Sequence, residues 1–213
     1  MKLLVATTNA NKVREIRPVL AGSPVELLTL ADVPAMAEPE ESAATYWQNA
    51  RLKAFGYALA LEQWHRRSGE GVAVAGGLVV AAEDSGLEIV GLNGVPGVRS
   101  ARFLGAQVTY SDRFAEIYRR LADLPNEGWR ARFITALSVV RGGEILFETE
   151  TSIDGTIAPQ PRGEHGFGYD PIFYYAPLKK TTAELTIDEK CVVSHRARAF
   201  RDFARSLGHA QLT

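Results

Sequence analysis

Residues 2–20 read KLLVATTNANKVREIRPVL, and their order decides the class of fold. Lys2 to Ala6 is a short apolar run of strand length. Thr7 to Lys12 interrupts it with small polar side chains. Val13, Ile16, Val19 and Leu20 then recur at helical spacing, with Gly22 just beyond them. A buried strand therefore hands over to a helix through a polar segment. Such a junction aims backbone N–H groups, the positive end of the helix dipole and the Lys12 ammonium at one point, which suits a phosphate. The segment does not match G-x-x-x-x-G-K-[ST], so it is not a P-loop. Taken alone it reads more readily as an ordinary strand–helix turn.

Working outward, Pro24 to Leu30 reads as a second strand, and residues 31–44 are acidic and irregular. Thr45 to about Arg67 reads as a long helix, with Ser42 as its candidate cap and Ser68-Gly69 as its stop. Gly71 to Ala82, rich in Val and Gly, reads as one or two strands that deliver the chain to Glu83-Asp84-Ser85-Gly86. Leu87 to Val90 is a further short apolar run, and Gly91 to Gly97 a loop. Thr109 and Asp112 have capping-box spacing ahead of Phe114, Ile117, Tyr118 and Leu121 at helical period. Ala131–Val140 and Ile145–Ile153 flank Gly142-Gly143 and predict a hairpin. Gly155 to His165 reads as loop. A last helix starts near Ser194. Interleaved strands and helices with one long hairpin predict an α/β fold with a mixed central sheet flanked by helices.

The chain has 213 residues, of which 46% are hydrophobic and 23% charged, and this balance excludes disordered and fibrous classes. At this size roughly 70% of the surface of the unfolded chain can be buried. With 24 basic and 25 acidic residues the net charge is −1, which argues against a dedicated nucleic-acid or membrane-surface binder. Cys191 is the single cysteine, so an internal disulfide framework and a multi-cysteine zinc site are excluded. No apolar run reaches membrane-spanning length and no signal peptide is expected, so the expected setting is cytoplasmic. No repeat or linker divides the chain, and residues 1–213 are expected to form a single domain.

Five segments could carry chemistry. The first is Thr7-Thr8-Asn9-Ala10-Asn11-Lys12. In the second, Glu40 and Glu41 precede a helix on which Thr45, Asn49 and Lys53 share one face. The third, Glu83-Asp84-Ser85-Gly86, ends an apolar segment, where acids of α/β proteins face ligands and carboxylates suit Mg²⁺; it reads equally as a tight turn. The fourth is Gly166-Phe167-Gly168-Tyr169-Asp170-Pro171. There glycines permit close approach to a flat ligand, and Phe167 or Tyr169 could stack on a base. In the fifth, Lys190 and Ser194-His195-Arg196 gather donors near the start of the last helix.

Together these segments resemble the inosine triphosphate pyrophosphatase family, the non-canonical purine nucleoside triphosphate pyrophosphatases (dITP/XTP diphosphatases). The matching stretches are LLVATTNANKVREI, EESAATYWQNARLKA, AEDSGLEIVGLNGVPGVRSARF, GFGYDPIF and AELTIDEKCVVSHRARA, which span residues 3 to 199. The resemblance implies an elongated, two-lobed α/β fold with its active-site cleft between the lobes, commonly as a homodimer. It implies Mg²⁺-dependent hydrolysis of dITP, ITP or XTP to the monophosphate and pyrophosphate, cleansing the nucleotide pool. Thr7, Thr8, Asn9, Ala10, Asn11 and Lys12 would cradle the triphosphate, with Lys53 adding charge. Asp84 would be the general base and a metal neighbour, and Glu41 a metal carboxylate for which Glu40 could substitute. Ser85 would touch substrate. Phe167, Gly168, Tyr169, Asp170, Lys190, His195 and Arg196 would hold and read the base.

This chain departs from the family pattern in four places. Glu83 stands where the family usually has the first Asp of Asp-Asp-Ser-Gly, and Gln48 where it usually has Glu. His165 stands where Gly or Asn is commoner. The segment between Lys53 and Asp84 is long, with Glu62 to Ala75 the expected insertion. The first two leave open the number of metal ions and keep in view a catalytically weak nucleotide-binding protein; a related pyrophosphatase of modified pyrimidine nucleotides is the alternative among enzymes.

Overall fold

Strand β1 (Lys2–Val5) runs into helix α1 (Ala10–Leu20) as the opening stretch predicts. Asn9 caps the helix, its Oδ1 accepting the Asn11 N–H at 2.9 Å. The computed structural model describes residues 1–68 and 78–209. The remaining strands are β2 (Glu26–Thr29), β3 (Val79–Ile89), β4 (Arg130–Arg141), β5 (Glu144–Ile157), β6 (Phe173–Tyr175) and β7 (Lys180–Thr181). The remaining α-helices are α2 (Tyr46–Ser68), α3 (Tyr110–Leu121), α4 (Ile187–Val193) and α5 (His195–His209). Among the described residues the strands form one seven-stranded sheet in the order β2-β1-β3-β4-β5-β6-β7. It is mixed: β1 pairs in parallel with β2 and β3, whereas β5–β6 and β6–β7 are antiparallel.

The chain divides into two compact units. Among the described residues the first comprises Met1–Asp84, Thr135–Thr151 and the chain from Arg196 onward. In it the sheet is covered on both faces, and the pleat sorts the side chains. Leu3, Val5, Val79, Ala81, Leu137 and Val139 pack with Ile16 and Leu20 of α1 and with Phe200 and Phe203 of α5. Leu4, Ala6, Val80, Ala82 and Val140 pack with Ala54, Tyr57 and Leu61 of α2. Successive strand residues thus face opposite layers, which is why β1 and the start of β3 are apolar without alternation.

The second unit is Ser85–Ile134 with Ser152–His195. Its core joins Leu87 and Ile89 of β3, Phe114, Ile117 and Leu121 of α3, Phe133 of β4, Ile153 and Ile157 of β5, and Tyr169 and Phe173. Thr109 caps α3 as expected, its Oγ1 accepting the Asp112 N–H at 3.2 Å. The hairpin is present: Gly142 and Gly143, at φ +54° and +85°, supply the two left-handed residues of a tight turn.

Four expectations are corrected. Glu83-Asp84-Ser85-Gly86 neither ends its strand nor forms a tight turn; with Leu87 it lies inside the eleven residues of β3. The Ala81 carbonyl and its neighbours are held by β1, and packing on both sides overrides the turn chemistry of Asp-Ser-Gly. The cap of α2 is Thr45, whose Oγ1 accepts the Gln48 N–H at 3.2 Å, and not Ser42. A separate helix α4 precedes α5. Ile145, Phe147, Thr149, Thr151 and Ile153 alternate with Leu146, Glu148, Glu150 and Ser152, the pattern of a half-buried strand, yet at the hairpin tip Ile145 and Leu146 are both exposed. Residues 69–75 of the expected insertion, and the Gly71–Gly77 part of the expected strands, lie outside the described residues.

Candidate active site

The two acids in the middle of β3 face opposite layers of the first unit. Asp84 shares a face with Val80 and Ala82, and so meets α2. Asn49 Nδ2 donates to Asp84 Oδ2 at 2.9 Å, and Asn49 Oδ1 accepts the Ala43 N–H at 3.0 Å, which fixes the amide. One turn further along α2, Lys53 is buried and donates to Glu41 Oε1 at 2.9 Å. The spacing of Asn49 and Lys53 along one helical face therefore does place them together with the acids. Burial pushes the Asp84 carboxyl above the ordinary range, and the nearby Glu41 charge adds to this; Lys53, the Asn49 hydrogen bond and Lys12 pull the other way. Of the two candidate glutamates, Glu41 is the one tied to Lys53, while Glu40 is exposed.

Glu83 shares the other face with Val79 and Ala81, and meets α1 and α5. Arg196 Nε donates to Glu83 Oε1 at 2.7 Å, and Lys12 Nζ lies 3.2 Å from the same oxygen. Thr135 Oγ1 donates to Glu83 Oε2 at 3.2 Å. Arg196 Nη1 donates to Glu15 Oε2 at 2.6 Å. Burial alone would lower the pKa of this guanidinium, but Glu83 and Glu15 more than offset that and raise it. The Lys12 ammonium is pushed down, by burial first and by Lys53 and Arg196, against the opposing pull of Glu83 and Asp84. The Arg196 side chain, expected at a base, is thus bound by two carboxylates of the first unit.

Thr7 to Lys12 does form the strand–helix junction. Thr7 Oγ1 accepts the Asn9 N–H at 3.2 Å, and Thr8 Oγ1 reaches Glu38 Oε1 at 3.4 Å. Thr8 and Ala10 are exposed, and Thr7, Asn9, Asn11 and Lys12 half-buried. The segment presents polar groups to solvent at the N-terminus of α1, whose dipole favours an anion.

The second unit gathers the remaining candidates, except Arg196. Asp170 is buried, and its carboxylate accepts from the Phe167 N–H at 2.8 Å, Thr182 Oγ1 at 2.8 Å and Lys190 Nζ at 2.6 Å. This closes the 166–170 turn onto α4. Gly166 has φ +81°, and a Cβ there would run into Asp170 Oδ2 and Lys190 Nζ. His195 stacks on Phe133, with ring centroids 5.0 Å apart and planes 14° apart. Tyr169 does not offer itself for stacking. It is buried, its hydroxyl donates to the Ser100 carbonyl at 2.9 Å, and its ring meets Tyr110 edge-on at 5.3 Å. Phe167, two residues earlier, is only half-buried. Ser85 and Gly168 are half-buried too.

Sequence reasoning missed Glu15 and Thr135, since neither sits in a motif; only the fold brings α1, β4 and β3 together. It also missed α4, although Thr186 and Glu189 carry the signal. Thr186 Oγ1 accepts the Glu189 N–H at 3.2 Å, and the Glu189 carboxylate returns to the Thr186 N–H at 2.9 Å, a full capping box. Chemically, the first unit offers a raised carboxylate with two lysines nearby, suited to orienting water beside a polyanion. Among the described residues no group of three or more His, Cys, Asp and Glu is placed to hold a metal ion by itself.

Comparison with known proteins shows what the chain is similar to. The profile of the Ham1 family matches residues 3–206. A dITP/XTP pyrophosphatase of Thermoanaerobacter pseudethanolicus is 39% identical over 200 residues, covering 93% of this chain and 92% of the relative. One from Thermus thermophilus is 42% identical over 201 residues, covering 94% and 89%. The solved structure of the Staphylococcus aureus Ham1 protein superposes with a TM-score of 0.80 at 28% identity, covering 99% of this chain and all of that one.

Proposed function

The chain belongs to the Ham1 family, and we propose that it is a hydrolase of nucleotide metabolism with dITP/XTP pyrophosphatase activity. The observation that carries this reading is the Asp84–Asn49 pair with Lys53 and Glu41 beside it, in a chain matching pyrophosphatases over nearly its full length. The substrate is cut between its α and β phosphates, leaving the monophosphate and pyrophosphate. ITP belongs to the same substrate class, since it carries the same base.

Each group has its own task on the substrate. Thr7 to Lys12 and Lys53 hold the triphosphate, the backbone N–H groups and ammoniums offsetting its charge. Asp84 orients a water by accepting its hydrogen bond and takes the proton as the water attacks. A raised carboxyl is the better base for this step, because its conjugate acid is weaker. Asn49 holds the Asp84 carboxylate in one rotamer. Ser85, next along β3, contacts substrate. Phe167, Gly168 and Asp170 shape the base site, Lys190 and His195 line it, and Tyr169 supports it from the core. Arg196 acts on the base only with what its two carboxylates leave it.

Magnesium belongs to this proposal. Asp84 and Glu41 are close enough for one charge to disfavour the other, and two carboxylates plus substrate phosphates suit a hard octahedral dication. When bound, that ion neutralises phosphate charge and polarises the scissile anhydride. Glu83, on the opposite face of β3, leaves this pair of donors intact, and Gln48 is exposed on α2. The proposal extends to one functional domain over residues 1–213 with the catalytic cleft of the family, to a homodimer, and to a cytoplasmic nucleotide pool as the place of action. Among the described residues no helix is long and apolar enough to cross a membrane.

The test is product analysis. Purified protein with Mg²⁺ and dITP is expected to give dIMP and pyrophosphate. Release of dIDP and orthophosphate would overturn the assigned cleavage position.

A further inference from the structure

We propose that Glu83, clamped by Arg196 and Glu15, is a positioning residue that sets the Lys12 ammonium for the triphosphate and holds no metal ion. The inference rests on the pyrophosphatase reading, because it assigns Lys12 to the phosphates.

Three observations carry it. The first is direction. Consecutive residues of a strand point to opposite faces, so Glu83 looks towards α1 and α5 while Asp84 looks towards α2. The second is connectivity. Glu15, Arg196, Glu83 and Lys12 form a chain of alternating charge, with contacts of 2.6, 2.7 and 3.2 Å in that order. Glu83 Oε1 is shared by Arg196 and Lys12, and Oε2 takes the Thr135 hydroxyl. The third is a step in exposure at the end of the chain. The side chains of Glu15, Arg196 and Glu83 are 6%, 3% and 1% exposed, whereas that of Lys12 is 15% exposed. The chain begins in the interior and emerges at the one cation of the phosphate segment.

Physical chemistry makes this arrangement directional. A buried ammonium needs a counter-charge, and a buried carboxylate needs its own partners to stay put. Arg196 presents two nitrogens of a rigid fork to two carboxylates, which fixes the position of each more firmly than a lysine would. Glutamate at position 83 has the length to meet both Arg196 and Lys12 at a single oxygen. Removing the Glu83 charge would, by Coulomb attraction alone, favour a polyanion nearby. If Glu83 places Lys12, its removal instead weakens binding, so the two roles differ in sign.

The experiment measures binding of the non-hydrolysable α,β-imido analogue of dITP by calorimetry in EDTA, with Mg²⁺ activation of dITP cleavage followed in parallel. The variants are Glu83→Gln, Lys12→Met, Glu15→Gln and each glutamate change combined with Lys12→Met, all checked by circular dichroism. Glu83→Gln is expected to weaken analogue binding about tenfold when Lys12 is present, and not at all in the Lys12→Met background, a coupling typical of contacting charges. The Mg²⁺ concentration for half-maximal activity is expected to stay unchanged. Glu15→Gln, which touches the chain only at its far end, is expected to give a smaller loss, about threefold, that also vanishes in the Lys12→Met background. It keeps the test open if Glu83→Gln does not fold. Tighter analogue binding in Glu83→Gln, additive losses in either double variant, or a raised Mg²⁺ requirement would each overturn the inference. If the unmodified chain neither binds the analogue nor releases pyrophosphate, the pyrophosphatase reading itself falls, and this inference with it.

Discussion

Glu83 and Asp84 are neighbours in β3, yet the pleat turns them to opposite faces of the sheet and gives them separate partners. Asp84 meets Asn49 of α2, and Glu83 meets Arg196 of α5 and Lys12 of α1. A pair of acids adjacent in sequence is split between two faces of the sheet, with the Lys12 ammonium within Coulombic reach of both. The extra methylene of Glu83 is accommodated on the side away from Asp84, so it does not bear on the base.

Asp84→Asn separates chemistry from stability. As the general base its loss is expected to lower kcat by about 10²–10⁴-fold with the circular dichroism spectrum unchanged. The same change is expected to raise Tm at neutral pH in chelated buffer. The folded carboxyl titrates above its unfolded value, so the folded state holds the proton longer and stability falls as pH rises through that interval. The variant, having no charge to bury, escapes this penalty. Its Tm advantage is therefore expected to disappear in acid, below the unfolded pKa. Near-normal kcat, or a Tm advantage that grows in acid, would count against the assigned role.

Phe167 and Tyr169 are two residues apart and are expected to respond differently. Phe167→Ala is expected to raise KM for dITP, since stacking on a base contributes about 1–3 kcal/mol. Tyr169→Phe removes a buried hydroxyl that donates to Ser100 and leaves that carbonyl short of a partner. It is expected to lower stability by about 1 kcal/mol with little change in KM. Urea unfolding and steady-state kinetics on both variants check the contrast, and a KM effect at Tyr169 as large as at Phe167 would refute it.

Gly166→Ala probes the turn that carries both. The added Cβ meets Asp170 Oδ2 and Lys190 Nζ, and the positive φ is itself unfavourable for alanine. Stability is expected to fall by more than about 1 kcal/mol. KM for dITP is expected to rise as the Asp170–Lys190 pair is forced apart. Crystallographic or calorimetric evidence of an undisturbed pair would contradict this.

Much of this was legible in the sequence where local chemistry and period agree. The β1–α1 junction, the Thr109 cap, the Gly142-Gly143 hairpin and the Asn49/Lys53 face all follow from spacing. What failed to show has a common cause, tertiary override of local signals. Asp-Ser-Gly is turn chemistry, but β3 runs through it because both faces are covered there. Tyr169 sits in a glycine-rich turn and still belongs to the core, since its ring packs on Tyr110 and Phe114. Glu15 reads as one more helix charge until α5 brings Arg196 against it. The α4 cap, by contrast, was present in the sequence as Thr186 and Glu189.

Base selectivity follows from donors that cannot become acceptors. Lys190 lies buried against Asp170, and its ammonium only donates. A deaminated purine carries an oxygen at C6, which accepts such a bond. Adenine carries an amino group there, and donor would face donor with buried groups left unpaired. Sites built to satisfy a hydrogen bond reject analogues lacking it strongly. Guanine keeps the C6 oxygen, so its refusal must come from the amino group at C2, while the C2 oxygen of XTP is an acceptor and can be satisfied. We expect kcat/KM for dITP and XTP to exceed that for dATP and dGTP by about two orders of magnitude, equivalent to ~2.7 kcal/mol. Lys190→Met is expected to narrow the dITP-to-dATP ratio while affinity for free pyrophosphate stays near that of the unmodified protein. A substrate panel measures both. Equal turnover of dITP and dATP by the unmodified chain would remove the base-reading role from Lys190 and leave a general nucleotide pyrophosphatase.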